Sequence, residues 1–274
     1  MSVIIGIDIG GSTTKIVGFD QNKKLISPLF VKANDPITSL YGAFGKFTDS
    51  NGIELDDIEK IMVTGVGSTH INKPLYGVKC EHVSEFDCIA LGGLYLSQLE
   101  KAIVVSLGTG TAIVIAEEDK SAKYLGGTGV GGGTLIGLSK KMLGVTHTED
   151  IVALAENGDL SKVDLVVGDI TAKDIPGMSS DLTAANFGKL SDLASKNDLA
   201  LGLINMVFES VAMLSLFASR ANGIKNIVMT GNLTTMPQSK TIFESLNNIF
   251  DANYIVPENS QFATVIGAAL KGLK

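Results

Sequence analysis

Residues 3–20 read VIIGIDIGGSTTKIVGFD, and residues 102–119 read AIVVSLGTGTAIVIAEED. Both stretches follow one plan: an apolar strand, a short turn of glycine and hydroxyl residues, and a second apolar strand that leaves at once. That is the pattern of a β-hairpin, with Gly10 and Gly11 at one tip and Gly108 and Gly110 at the other. Glycine at a tip permits tight backbone geometry and lets a ligand come close to the chain. Backbone amides there, joined by the hydroxyls of Ser12, Thr13, Thr109 and Thr111, can converge on an anion. Two such tips facing each other are expected to clamp a nucleotide.

The spacing of the two hairpins, about a hundred residues, divides the 274-residue chain near position 98. The expectation is an N-terminal domain over residues 1–98 and a C-terminal domain over 99–274, each within the usual domain size. Hydrophobic residues make up 45% of the chain and charged residues 19%, the balance of a folded globular protein. No apolar run is read as reaching the ~18–20 residues that span a bilayer, and the first eleven residues lack the basic start of a secretory signal. A cytoplasmic protein is therefore expected, with no membrane partner. The net charge of −7, without a basic block, argues against a nucleic-acid surface. Cys80 and Cys88 fit neither a redox pair nor a zinc spacing, and His70, His82 and His147 are scattered, so any metal is expected to arrive with the nucleotide.

Between and beyond the hairpins, apolar residues Ile37, Leu40, Tyr41, Phe44 and Phe47 recur at helical intervals within 35–50, and 58–64 reads as a buried strand. A helix is expected to start at Ser84, where a hydroxyl N-cap precedes the acidic N3 residue Asp87. Further helices are expected over 135–143, 198–221 and 263–273, and a strand over 226–230 that ends at Gly231 and Asn232. This alternation predicts a mostly parallel sheet with helical crossovers.

Asp8 closes the first strand just before Gly10, with Lys15 on the outgoing strand. A carboxylate in that place can hold Mg2+, usually through water, while Lys15 and the amides neutralise phosphate oxygens. The glycines at 131–133 precede a helix, whose N-terminus would let a base or phosphate lie against bare backbone. Glu85, in the first helical turn, is held firmly enough to orient an attacking hydroxyl and accept its proton. Alternatively, Glu85 and Asp87 simply complement the helix dipole.

These motifs resemble the superfamily of acetate and sugar kinases, heat-shock chaperones and actin, and within it the type II pantothenate kinases of staphylococcal and eukaryotic kind. The likeness rests on DIGGSTTK, the EFD helix start, the GTGT hairpin, the GGTGVGGGT run at 126–134, DLTAANFG at 181–188 and the terminal IGAAL, in order along nearly the whole chain. It implies an α/β fold of two RNase-H-like (actin-like ATPase) domains flanking a nucleotide cleft, commonly as a homodimer built through helices of the C-terminal domain. It implies transfer of phosphate from ATP, with Mg2+, to pantothenate, the committed step toward coenzyme A, which with its acyl thioesters is a possible regulator.

By the resemblance, Glu85 is the catalytic base, and Asp8, Ile9, Gly10, Gly11, Ser12, Thr13, Thr14 and Lys15 form the phosphate and metal loop. Thr109 and Asn232 contact the nucleotide, and Gly132, Gly133, Thr134, Leu135 and Ile136 form the adenosine-side loop. Gly108, Tyr124 and Gly127 fall on the acceptor side. One position departs from the pattern: where the family carries an arginine before the glycine run, this chain has Tyr124, with Lys123 beside it. Arginine and tyrosine differ at a carboxylate contact, which leaves the acceptor open between pantothenate and a relative such as pantetheine that lacks the carboxylate. The other readings are a sugar kinase of the same superfamily and an ATP-driven switch or activator ATPase.

Overall fold

A computed structural model describes residues 2–11, 13–32, 35–118, 120–173, 175–176 and 178–273. The chain begins with β1 (Val3–Ile9), β2 (Thr13–Phe19), β3 (Leu25–Lys32), α1 (Pro36–Asn51), β4 (Ile58–Thr64), β5 (Cys80–His82) and α2 (Glu85–Ser97). It continues through β6 (Lys101–Leu107), β7 (Thr111–Glu117), β8 (Lys123–Thr128), α3 (Gly132–Met142), α4 (Thr148–Ala155), β9 (Leu165–Val166), α5 (Val167–Ile170) and β10 (Thr183–Ala185). The remaining elements are α6 (Lys196–Asn222), β11 (Asn226–Thr230), α7 (Pro237–Ile249), β12 (Asn253–Ile255) and α8 (Ala263–Gly272).

Two five-stranded sheets result, in the orders β3-β2-β1-β4-β5 and β8-β7-β6-β11-β12. The hairpin repeat thus extends to the whole sheet, since each hairpin takes a third antiparallel strand on one side and two parallel strands on the other. The expected mostly parallel sheet is corrected to a mixed one. The physical reason is the tips themselves: a reversal of three residues leaves no room for a crossover, so the two strands it joins run antiparallel.

Each sheet is covered on both faces, which explains why β1 is almost uniformly apolar and buried. In the first sheet Ile5, Ile7 and Ile9 pack with Leu40, Phe44 and Phe47 of α1, while Val17 and Phe19 pack with Val265, Ile266 and Ala269 of α8 on the other face. In the second, Ile103 and Val105 face α6 and α7, and Val104 and Val114 face Ile89 and Leu94 of α2. The division at residue 98 separates the two sheets, and two helices cross it: α2 serves the second sheet and α8 returns to the first. These helices also pack on each other, at a spacing only glycine allows. A Cβ on Gly92 would lie 1.7 Å from the Ala263 carbonyl oxygen, and one on Gly267 would lie 1.9 Å from that of Cys88.

Helix ends follow their capping residues. Asp35 accepts from the Thr38 amide at 2.6 Å ahead of Pro36, and Gly52 closes α1 in a left-handed conformation. Ser84 caps α2, and Ser195 caps α6 in a reciprocal box with Asp198. Contrary to the sequence expectation, α6 is long and apolar enough to cross a membrane, but 61% of its most apolar window is buried inside the fold. Its hydropathy is that of a core helix.

Candidate active site

Both hairpin tips open into one cleft of ≈ 570 Å³. At the first, the Gly10 amide donates to the Thr13 carbonyl at 2.9 Å; at the second, the Gly108 amide donates to the Gly110 carbonyl at 2.9 Å. Ser12 lies outside the described residues. Each tip is backed by the end of the neighbouring parallel strand, and there a glycine turns the chain at positive φ: Gly65 after β4 at 86° and Gly231 after β11 at 95°. A Cβ on Gly65 would stand 2.5 Å from Asp8 Oδ1, and one on Gly231 2.4 Å from the Leu107 carbonyl oxygen. Gly65 was not read from the sequence as a site residue. Its signal is its place directly after a buried strand, the place Gly231 holds in the second half.

Asp8 and Lys15 are cross-strand partners in the first hairpin and face the cleft together. Burial raises the Asp8 pKa, with the Lys15 charge opposing, and burial lowers the Lys15 pKa, with Asp8 opposing. Lys15 is only 6% exposed, and its Nζ donates to the Gln261 carbonyl at 2.6 Å.

The four residues that start α2 divide their tasks. Ser84 caps the helix. Glu85 lines the cleft, where burial first and the Asp8 charge second raise its pKa. Phe86 stacks on Tyr124, with ring centroids 4.2 Å apart and planes at 17°. Asp87 accepts from the Ala122 amide at 2.8 Å and from Lys271 Nζ at 3.1 Å, tying the helix start to the approach to β8 and to α8.

Of the residues expected from the sequence, the cleft gathers Asp8, Gly10, Gly11, Thr13, Lys15, Glu85, Gly108, Thr109, Tyr124, Gly127 and Asn232. Ile9 and Thr14 sit next to it but point inward; Ile9 is in the first core, and Thr14 is fully buried with no hydrogen-bond partner for its hydroxyl. The glycine run forms the start of α3 and packs behind the second tip. The amides of Gly132 and Gly133 donate to the Gly108 and Thr109 carbonyls at 2.9 and 2.8 Å, and the Thr134 hydroxyl donates to the Gly129 carbonyl at 2.8 Å. Leu135 is fully buried in the second core, and Ile136 is 38% exposed away from the cleft lining. Val66, Ser106, Thr128, Gly129 and Thr264 also line the cleft without having been expected there.

Among the described residues no group of three or more His, Cys, Asp or Glu side chains can hold a metal ion. Asp8 in the cleft suits Mg2+, which takes one or two carboxylates and fills its shell with water and phosphate oxygens rather than with a protein cage. Both cysteines are free, and burial pushes the Cys88 thiol up to about 12.

Residues 101–252 match the family model described as Fumble. A type II pantothenate kinase of Bacillus cereus strain G9842 is 31% identical over 284 aligned positions, covering 100% of both chains. The chain belongs to the type II pantothenate kinase family. Another family member, from Oceanobacillus iheyensis, is 28% identical across 97% of this chain and 98% of its own. Among solved structures, component A of the Acidaminococcus fermentans (R)-2-hydroxyglutaryl-CoA dehydratase superposes with a TM-score of 0.71 at 17% identity, over 99% of this chain and 97% of that one. A ROK family glucokinase of Streptomyces griseus, in complex with glucose and AMPPNP, superposes at 0.60 and 13% identity, over 98% and 99% of the two chains. At such identities these likenesses bear on the fold, which is the two-domain α/β fold of actin-like ATPases. Within it, this pantothenate kinase family member has its carboxylates, hairpin tips and Tyr124 in one cleft.

Proposed function

We propose that this protein transfers the γ-phosphoryl group of ATP to the primary hydroxyl of pantothenate, forming 4′-phosphopantothenate and opening coenzyme A synthesis. The observation that carries the reading is the convergence of the Glu85 carboxylate with both hairpin tips in one cleft. Glu85 orients the hydroxyl and takes its proton as the oxygen bonds to the γ-phosphorus, while the bond from that phosphorus to the β-phosphate oxygen breaks and ADP leaves. The raised pKa of Glu85 suits it to this role, since a base is most effective when its pKa approaches the working pH. The amides of Gly11, Thr109 and Gly110, with the Thr109 hydroxyl, stabilise phosphate charge, and Asn232 holds the nucleotide from the β11 side. Mg2+, held by Asp8 through water, supplies charge neutralisation on the phosphates when it is bound. Lys15 adds its charge from the wall and keeps the first hairpin fixed to the segment before α8.

The same reading includes a cytosolic homodimer joined through helices of the second half, where Leu214 and Phe217 leave apolar surface exposed on α6. It also includes coenzyme A or its thioesters as competitors for the cleft. Purified protein with magnesium and ATP is to be offered pantothenate, pantetheine, glucose and N-acetylglucosamine separately, and products weighed by mass spectrometry. Phosphorylation of the pantoyl compounds is expected; phosphorylation of a sugar alone would replace this reading with that of a sugar kinase.

A further inference from the structure

The charges lining the cleft are unevenly placed. Asp8 and Glu85 supply carboxylates, and Lys15 is the one cationic side chain among the described residues that line it. Lys15 is already engaged, buried against Asp8 with its Nζ on the Gln261 carbonyl. Lys271 is held by Asp87, and Lys32 by Glu149 at 2.9 Å. Lys123 is exposed and does not line the cleft. A second carboxylate brought in beside Glu85 would therefore find no free cation and would meet like charge.

What the cleft offers beside Glu85 is an aromatic face. The strand β8 skips a residue between Tyr124 and Gly126 where it pairs with β7. A bulge of this kind re-aims side chains, and here Tyr124 and Gly127 line the cleft together. The Tyr124 phenol oxygen lies over Gly127, close enough that a Cβ there would be 3.2 Å away. Behind it, Phe86 holds the ring in a stacked pair. Tyr124 is 49% exposed and lines the cleft, so its ring presents apolar surface there rather than sitting in the core. A flat, fixed aromatic face favours alkyl and amide groups.

We propose that the acceptor end of the cleft selects an alcohol whose far end is uncharged, so that N-substituted amides of pantothenate, pantetheine among them, are phosphorylated in preference to pantothenate itself. The proposal rests on the kinase reading above and names Tyr124 as the specificity-determining residue. The test compares kcat/KM for pantothenate and for N-pentylpantothenamide at saturating magnesium-ATP, in wild type, Tyr124→Arg and Tyr124→Phe. Wild type should favour the amide. Tyr124→Arg should move the ratio toward pantothenate by ~10–100-fold, the worth of a charge-assisted hydrogen bond to a carboxylate. Tyr124→Phe, which keeps the ring and loses the hydroxyl, should hold the wild-type ratio within about threefold, the effect of less than one neutral hydrogen bond. Preference of the wild type for pantothenate overturns the proposal and leaves the kinase reading intact, and so does a ratio that Tyr124→Arg leaves unmoved. Absence of turnover on both acceptors overturns the two together.

Discussion

Burial and the neighbouring Asp8 charge both raise the proton affinity of Glu85, so the ionised form that accepts a substrate proton costs the folded state stability at neutral pH. The sign follows from the direction of the shift. The stability Glu85 contributes is fully present below its ordinary value of 4.5 and is lost as pH rises through its raised folded value. Glu85→Gln should therefore lower kcat by at least ~10²-fold, the scale of lost general-base catalysis, with nucleotide affinity nearly unchanged. The same variant should melt at a higher temperature than wild type at pH 7, a difference that closes below pH 4.5 where both side chains are neutral. A melting series across pH, beside a pH profile of kcat/KM whose acid limb lies above 4.5, checks both halves. An equal kcat would remove Glu85 from the chemistry. At this scale Asp8 and Glu85 were legible because they flank glycine turns or caps. The Phe86–Tyr124 stack was not, because no periodicity links residues 38 positions apart, and their meeting depends on Asp87 fixing α2 against the segment before β8.

Helices α1 and α8 illustrate how one residue type can be stabilising or destabilising according to what its missing side chain leaves room for. Gly267 lies in α8 with the Cys88 carbonyl where a Cβ would be, whereas Gly45 lies in α1 with nothing within 4 Å. Gly267→Ala should cost about 3 kcal/mol, at the upper end of overpacking effects. Gly45→Ala should stabilise by ~0.5–1 kcal/mol through helix propensity alone. Urea denaturation of the two variants reads both signs, and a neutral Gly267→Ala would mean that α2 and α8 are not packed this closely. The long elements were legible because α1, α2 and α6 carry both a periodic face and an N-cap, in Asp35, Ser84 and Ser195. The short elements β9, α5 and β10 were not, since long-range bonds define their surroundings: Glu209 of α6 accepts from Thr183 and Asn186, and Asp164 accepts from the Phe187 amide and Asn205. The glycine run at 131–133 was legible as a turn ahead of α3, but its packing was not, because the Gly132 and Gly133 amides meet carbonyls of the second hairpin.

For the whole molecule, the repeat that opens the sequence becomes two sheets of one topology, yet neither half is complete without the other. A fragment of residues 1–98 would lack α8 against Val17 and Phe19, and its α2 would lack the second sheet. It should show no cooperative thermal transition by circular dichroism, whereas the full chain should show one that ADP with magnesium shifts upward, by about 2.7 kcal/mol at a hundredfold excess over Kd. A sharp, reversible transition in the fragment would count against the exchange of helices as a requirement for folding. Sheet order itself was only half legible: hairpins announce themselves locally, but β3 and β8 take their places through pairing with β2 and β7 rather than through any pattern of their own.

The return of α8 to the first sheet also sets a timetable. On a ribosome the strands of the first sheet emerge early, but the helix that covers their inner face follows only after the entire second sheet has been made. At ~5–20 residues per second, that leaves Val17, Phe19 and their neighbours without their partner for on the order of ten seconds. Through that interval the nascent chain offers an apolar sheet face to whatever binds such surfaces in the cell.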